Sequence, residues 1–257
     1  MNDPELLYEV RGSAAWMTIN REDRRNALSL EIIDLFGTCL SRAESDELVR
    51  VVCITAAGEK AFCAGADLAS SFSAADHVAG ARKYEQLLLR MASFSKPLVA
   101  RVSGHCLAGG LGLMLSCDMV YARDGALFGT PEVNVGLFPM MIGALLMRNV
   151  GRKKAAEMIY TAKMYSAGEA EQMGLVTRAV PAAELDPLVE KTLATIGEKA
   201  PAAIRIGRKA LADAADLSLS DALDLLCDRL GAVVETEDAK EGLSAFIEKR
   251  PPQWKGR

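Results

Sequence analysis

The sequence is poor in the residues from which metal centres, disulfide frameworks and membrane spans are built. It has two histidines, six cysteines and 5% aromatic residues in a chain of 257. The cysteines form no CxxC motif and have no histidine pair nearby, which argues against zinc and favours free thiols in a reducing compartment. The chain also lacks the run of about eighteen uncharged apolar residues that a membrane-spanning helix needs. Metal-binding, disulfide-rich and transmembrane classes are therefore disfavoured.

The charge balance is slightly acidic. Lys plus Arg is 30 and Asp plus Glu is 34, which gives a net charge of −4 and a sequence pI of about 5.4. This balance disfavours a mainly electrostatic binder of nucleic acid or of an anionic membrane. Residues 1–5 carry acid and are not followed by the apolar segment of a secretory signal. We expect a cytoplasmic protein that binds neither nucleic acid nor membrane.

Hydrophobic periodicity divides the chain into a mixed α/β part and a helical tail. The first part has predicted strands at residues 6–10, 14–19, 51–56, 97–102 and 119–122 and predicted helices at 29–43, 75–94 and 107–117. Beyond residue 143 strand signals nearly vanish, and seven helices are predicted. Without a Gly-, Ser- or Pro-rich linker, we expect one α/β domain over residues 1–257, with a core to about residue 195 and a helical region from about 196.

Two segments rich in small residues follow predicted strands. Residues 60–68, KAFCAGADL, allow a ligand to approach the backbone closely, although a tight turn would use the same residues. Residues 104–112, GHCLAGGLG, open a predicted helix whose first N–H groups lack partners within the helix and suit an anion or a developing oxyanion. Glycine in a helix costs roughly 1 kcal/mol relative to alanine. Gly109, Gly110 and Gly112 therefore indicate either such a site or close helix packing.

Glu132 is the single charge in the segment 128–141, FGTPEVNVGLFPMM. Desolvation in apolar surroundings would raise the pKa of this carboxyl and suit it to acid–base work. The alternative is an ordinary acidic residue at a helix start, placed after Pro131 where the helix dipole favours negative charge.

Together these segments resemble the crotonase (enoyl-CoA hydratase/isomerase) family. The resemblance rests on the order of four motifs, and it extends over essentially the whole chain to the ending RPPQW. The motifs are NR…NAL at residues 20–28, AFCAGADL at 61–68, G…AGG…CD at 104–118 and FGTPE…G at 128–136. It implies a spiral of β-β-α units with a C-terminal helical region that forms trimers, at about residues 196–257.

The resemblance also implies roles for individual residues. Two backbone N–H groups, of Ala66 and Gly109, would hold the oxygen of a coenzyme A (CoA) thioester, and Glu132 would move a proton. CoA enters as part of an acyl-CoA substrate, with no prosthetic group, and the partners implied are that substrate and further copies of the chain, in a homotrimer or a hexamer of two trimers. The CoA-binding residues implied are Asn26, Ala27, Ala64, Ala66, Asp67, Leu68 and Gly109.

One position departs from the hydratase pattern. Hydratases of this family carry two catalytic glutamates, and the positions that correspond to them here are Gly112 and Glu132. Adding water to a 2-enoyl-CoA requires one group to activate water and a second to supply a proton. Moving a double bond from C3 to C2 requires one base that reaches both carbons. The single carboxylate therefore favours an isomerase, with weak hydration as the alternative.

Residues outside the four motifs are also candidates for contacts with the substrate. Arg24 or Arg25, just before Asn26, would suit CoA phosphates, although a solvated charged loop would look the same. An adaptable apolar pocket for the acyl chain is predicted from Leu137, Phe138, Met140 and Met141.

Two other classes of function remain open at this point. The run GHCLA at residues 104–108 faintly resembles a nucleophile elbow, so that Cys106 would attack a thioester in a thiol hydrolase. A family member that lacks one glutamate could instead bind acyl-CoA without catalysis, or have been recruited to bind RNA. The acidic charge balance weighs against RNA.

Overall fold

The computed structural model describes residues 4–67 and 74–257, and Leu68 of the predicted CoA-binding set lies outside them. The described residues form two sheets and ten α-helices. The first sheet has the order β1-β2-β3-β5-β7-β10, and the second has the order β4-β6-β8-β9. The strands of the first sheet are β1 (Leu6–Arg11), β2 (Ala14–Ile19), β3 (Val51–Ala56), β5 (Leu98–Val102), β7 (Met119–Arg123) and β10 (Arg178–Val180).

The first sheet is parallel except at one edge. β1 and β2 form an antiparallel hairpin, and Gly12 in its turn has φ +58°, a left-handed conformation that glycine adopts at little cost. β2 pairs with β3, β3 with β5, β5 with β7 and β7 with β10, all in parallel. Every residue of β3 is buried, as its continuous apolar run predicts.

The second sheet consists of very short strands: β4 (Ala61–Cys63), β6 (His105–Leu107), β8 (Leu127–Gly129) and β9 (Tyr165–Ser166). β4, β6 and β8 are parallel neighbours, and β9 pairs antiparallel with β8. This sheet was not predicted. The helix predicted over residues 107–117 was also too long, because Leu107 ends β6 and the helix begins at Gly109.

The helices otherwise follow the predicted pattern to within a few residues. Their bounds are α1 (Leu30–Ser45), α2 (Ala74–Ala92), α3 (Gly109–Leu115), α4 (Met140–Asn149), α5 (Arg152–Thr161), α6 (Ala167–Gln172), α7 (Ala182–Gly197), α8 (Pro201–Ala214), α9 (Leu219–Val234) and α10 (Glu237–Glu248). Ser166 and Glu169 form a capping box, and the Ser218 hydroxyl accepts a hydrogen bond from the Asp221 N–H. Local capping therefore fixes the starts of α6 and α9.

Apolar side chains fill both faces of the first sheet. On one face, Trp16 and Val51 pack with Leu185 and Val189 of α7. On the other face, a larger core extends through α1 to the second sheet and to α3. The second sheet and the helix that begins at Gly109 thus rest on a rigid, buried base. No helix among the described residues is long and apolar enough to cross a bilayer.

The end of the chain is tied to the helical tail by one buried carboxylate. Asp238, in the first turn of α10, is 0% exposed. Its two oxygens accept hydrogen bonds from the backbone N–H groups of Ala202 (3.0 Å), Lys255 (2.7 Å) and Gly256 (3.0 Å). Asp238 thus joins α8, α10 and the C-terminal residues through three hydrogen bonds to backbone N–H groups, of which the one from Ala202 is buried.

We expect Asp238→Ala to lower the free energy of unfolding by about 2 to 3 kcal/mol, because it removes the acceptor of three backbone N–H groups and leaves the buried one, of Ala202, unpaired. Urea denaturation measures the loss. The matched control is Asp224→Ala on α9, where the carboxylate is exposed and a change within about 0.5 kcal/mol is expected. Equal stability of the two variants would show that the carboxylate does not tie the tail.

Candidate active site

Three segments leave the second sheet at the same edge. Since β4, β6 and β8 are parallel neighbours, their carboxyl ends lie side by side. β4 runs into residues 64–67, β6 into Ala108 and α3, and β8 into Thr130 and Glu132. The Ala108 N–H donates to the Gly129 carbonyl oxygen at 3.0 Å, so the third segment starts beside the second. Ligand sites in α/β proteins commonly form at such an edge.

The backbone of Ala66 presents its N–H group away from the N-terminal loop. Leu28 donates to the Gly65 carbonyl oxygen at 2.8 Å and accepts from the Asp67 N–H at 2.9 Å, which forms an isolated parallel bridge between Leu28 and Ala66. In an extended segment, the backbone N–H and C=O of Ala66, between Gly65 and Asp67, face away from Leu28. Within residues 4–67 and 74–257, the Ala66 N–H has no hydrogen-bond acceptor.

Gly109 brings a second N–H group to the same place. It is the first residue of α3, so its N–H has no acceptor within the helix. A Cβ built on Gly109 would lie 3.5 Å from the nitrogen of Ala66, and one built on Gly65 would lie 3.3 Å from the nitrogen of Gly109. The two backbones therefore touch where both N–H groups are unpaired.

The close contact requires unusual backbone conformations on both sides. Gly65 has φ +106°, and a Cβ on it would lie 2.7 Å from the Cβ of Ala108. Ala108 itself has φ 49° and ψ −127°, a region that side chains rarely adopt. The strain at Ala108 turns the chain from β6 into α3, and it is held because β6 is buried between β4 and β8.

Glu132 lies in a 3-10 helix, Pro131–Val135, directly after β8. Its Oε2 is buried and has no hydrogen-bond partner among the described residues. Burial raises the pKa of this carboxyl, opposed by a hydrogen bond from the residue's own backbone. Desolvation makes the ionised form of this carboxyl less favourable and so makes it a stronger base than an exposed glutamate.

The N-terminal loop is held against β4 by two polar side chains. Asn26 has φ 55° and is 1% exposed, and its amide donates to the carbonyl oxygens of Ala57 (3.0 Å) and Ala61 (2.7 Å). The Arg21 guanidinium donates to the Ala27 carbonyl oxygen at 2.9 Å and to the Asp67 carboxylate at 3.0 Å. Asn26 and Asp67 thus shape the loop through contacts within the protein.

A cleft of about 800 Å³ runs beside this loop, and we name it the loop cleft. Its lining includes Arg25, Asn26, Lys60, Ala64, His105, Leu107 and Arg123. Arg123 is paired with Glu59 at 3.0 Å. Arg25 and Lys60 form no ion pair within the described part of the chain, and the acidic Glu22 also lies in the lining. Two free cations at a cleft wall suit a phosphate-bearing ligand.

The predicted site residues follow the three parallel strands, lie at the loop cleft, or lie outside both. Ala66, Gly109 and Glu132 follow the three parallel strands, and Ala64 lines the loop cleft, with Ala27 in the loop beside it. Arg24 is exposed, lies near Asp23 at 3.7 Å and is not part of the cleft lining, whereas Arg25 is. The sequence analysis included Lys60 in the small-residue segment 60–68 but assigned it no binding role.

Three of the four residues of the predicted acyl pocket are exposed in the single chain, and the fourth, Met141, packs against the core. Leu137 is 49% exposed, Phe138 44% and Met140 72%, and Met141 is half-buried. The Phe138 and Tyr160 rings are 6.4 Å apart. These residues are near Glu132 in the chain but line neither the loop cleft nor the smaller cavity beside Asp118.

The geometry at Cys106 is unfavourable for a nucleophile. Cys106 is 0% exposed, and burial raises the pKa of its thiol well above the ordinary value. The His105 imidazole accepts a hydrogen bond from the Leu127 N–H through Nδ1 at 3.1 Å, which fixes the ring on β8. A protonated thiol without solvent access is inert. Among the described residues, no group of three His, Cys, Asp or Glu is placed to hold a metal ion.

Comparison with known proteins identifies the family of the chain. The family model described as "Enoyl-CoA hydratase/isomerase" matches residues 9–257. The chain belongs to the enoyl-CoA hydratase/isomerase family. Among the similar members, a short-chain-enoyl-CoA hydratase of Clostridium acetobutylicum and a crotonyl-CoA hydratase of Syntrophomonas wolfei are each 34% identical, with 95% of both chains covered.

The fold agrees as well. The crystal structure of an enoyl-CoA hydratase from Bacillus anthracis superposes with a TM-score of 0.95 at 31% identity, covering 99% of this chain and 100% of that one. The predicted crotonase-like α/β architecture with a C-terminal helical region is confirmed.

We expect Gly65→Ala to lower kcat/KM for enoyl-CoA substrates by about 100-fold or more, because the added Cβ separates the backbone of residue 65 from Ala108 and Gly109. The control is Gly174→Ala, where φ is +78° but nothing lies within 4 Å of an added Cβ. That variant suffers backbone strain of about 1 to 2 kcal/mol and keeps its activity. Equal kcat/KM in both variants would rule out a functional role for the contact.

Proposed function

We propose that the protein is an enoyl-CoA isomerase that moves a double bond from C3 to C2 of an acyl-CoA thioester. The observation that carries the proposal is the half-buried Glu132, whose Oε2 is buried without a partner among the described residues, on the segment beside two adjacent unpaired backbone N–H groups. Gly112, on the same helix as Gly109, has no side chain with which to activate water. The site therefore suits a reaction that needs one base and no bound water.

In the proposed mechanism the Ala66 and Gly109 N–H groups form an oxyanion hole. The Glu132 carboxylate removes a proton from C2 of the 3-enoyl-CoA, and the electron pair moves through the thioester to its oxygen as a dienolate. The two N–H groups stabilise that negative charge, and loss of one such donor typically costs about 10²- to 10³-fold in rate. Glu132, now protonated, returns the proton to C4, and the double bond forms between C2 and C3.

The loop cleft would take the CoA moiety. Arg25 and Lys60 supply positive charge for its phosphates, and Ala64 and Leu107 place the cleft next to Ala66 and Gly109. The exposed apolar residues after Glu132 would contact the acyl chain. CoA enters and leaves with the substrate in this proposal, so no prosthetic group takes part.

Weak hydration is the second candidate, because similar members are named hydratases. General acid–base help is worth roughly 10²- to 10⁴-fold, so a hydratase with one carboxylate would be slow rather than inactive. Parallel assays of a 3-enoyl-CoA and of crotonyl-CoA separate the two reactions. Faster turnover of crotonyl-CoA would favour hydration over isomerisation.

We also propose a homotrimer or a pair of trimers in the cytoplasm. The support is an apolar surface on the helical tail, where Leu219 is 77% exposed, Phe246 83% and Ile247 77%. Exposed apolar residues at this density are typical of a subunit interface. All six cysteines are free, which suits a reducing compartment.

We expect Glu132→Gln to lower kcat for 3-enoyl-CoA by at least about 10²-fold while the affinity for CoA stays within a factor of two, because the amide keeps the shape but cannot take a proton. Steady-state kinetics and calorimetry measure the two quantities. Glu190→Gln, an exposed glutamate on α7, is the control and should retain full activity. Undiminished turnover in Glu132→Gln would remove this carboxylate from the mechanism.

We further expect Glu132→Gln to be more stable than the unmodified protein at pH 7. Burial raises the folded-state pKa above the ordinary 4.5, so folding penalises the ionised form. The penalty is absent below the unfolded-state pKa and grows as the pH rises through the folded-state pKa. Urea denaturation at pH 4 and pH 7 should show a larger stability advantage of the variant at pH 7, and an advantage confined to pH 4 would contradict the assignment.

A further inference from the structure

Tyr84 of α2 occupies the space above Gly112. A Cβ built on Gly112 would lie 2.3 Å from Tyr84 Oη, 3.1 Å from Cζ and 3.3 Å from Cε1. The first of these distances is far below van der Waals contact, and the phenol is 6% exposed, so the ring has little room to retreat. Residue 112 can therefore be only glycine while the Tyr84 ring is in place.

The Tyr84 hydroxyl also bonds the first turn of α3. It donates a short hydrogen bond to the Gly109 carbonyl oxygen. Burial raises the pKa of the phenol well above its ordinary value, opposed by a hydrogen bond from the backbone of Leu113. The phenol thus stays neutral and remains a hydrogen-bond donor. It contacts Gly109 and Leu113, which are the i and i+4 residues of the first turn of α3.

We propose that Tyr84 is a positioning residue that sets the direction of the Gly109 N–H, and that it acts as a unit with Gly112. The Gly109 N–H lies in the peptide unit directly after the strained residue Ala108. The turn from β6 into α3 is therefore strained, and a second contact is needed to fix the direction of this N–H. The hydrogen bond from the Tyr84 hydroxyl supplies this contact, because it holds the carbonyl group of Gly109. Glycine at 112 is what lets the ring approach closely enough.

This inference deepens the proposed function, because it concerns the same pair of N–H groups, but it can be tested without turnover. Acetoacetyl-CoA readily forms an enolate whose negative oxygen would occupy the position proposed for the dienolate oxygen. Butyryl-CoA carries the same CoA group and a neutral thioester. A residue that positions the Gly109 N–H should affect the first ligand far more than the second.

We expect Tyr84→Phe to weaken binding of the acetoacetyl-CoA enolate by about 10-fold, measured by its ultraviolet absorption band, while butyryl-CoA affinity changes by less than about twofold. The control is Tyr8→Phe on β1, since the Tyr8 hydroxyl is buried without a partner among the described residues. It should leave both affinities unchanged. Equal binding of the enolate by Tyr84→Phe and the unmodified protein would overturn the proposal, whatever reaction the enzyme catalyses.

A second pair of variants tests the proposed unit of Tyr84 and Gly112 independently. Gly112→Ala should displace the ring and weaken enolate binding by about 10-fold in the presence of Tyr84, but should have little further effect in Tyr84→Ala, where the collision is gone. If Gly112→Ala weakens enolate binding equally with Tyr84 present and in the Tyr84→Ala background, the two residues do not act as a unit. If the protein fails to isomerise 3-enoyl-CoA but shows these selective losses, the proposed reaction fails and the role of Tyr84 stands.

Discussion

The close approach of two backbones, at Gly65 and at Ala108–Gly109, is the constraint on which the site depends. It brings two unpaired N–H groups together only because side chains are missing there. The same helix is seated equally tightly further along, since a Cβ on Gly110 would lie 2.5 Å from the Cys63 carbonyl oxygen. The glycines of α3 thus serve both close packing and ligand access, and the two explanations offered by the sequence are parts of one arrangement.

The contact is precise because rigid elements supply both of its sides. β4 and β6 are adjacent parallel strands, and the larger core lies beneath them. The bridge between Leu28 and Ala66 adds a third support, which Asn26 and Arg21 hold through hydrogen bonds. Residues that the family resemblance marks for CoA therefore also form the frame that holds the Ala66 backbone beside Gly109.

The sequence predicted the larger elements and the site motifs but not the sheet that connects them. Long periodic segments such as residues 51–56 and 29–43 reappear almost unchanged, because burial and capping act locally. β4, β6 and β8 each have three residues, too few for a period to be recognised. The contact of Tyr84 with Gly112 left no local signal, because it joins two helices that pack only in the folded chain.

The single carboxylate shows how function and stability oppose each other in this site. An ionised carboxylate with a buried, unpartnered oxygen lowers the stability of the folded protein. A paired or an exposed carboxylate would lower it less. Pairing Glu132 with a cation would lower its pKa and make it a weaker base, and exposing it would let water compete for the proton. A buried Oε2 without a partner is therefore the arrangement that a proton carrier needs, at a cost in stability that the rest of the fold must offset.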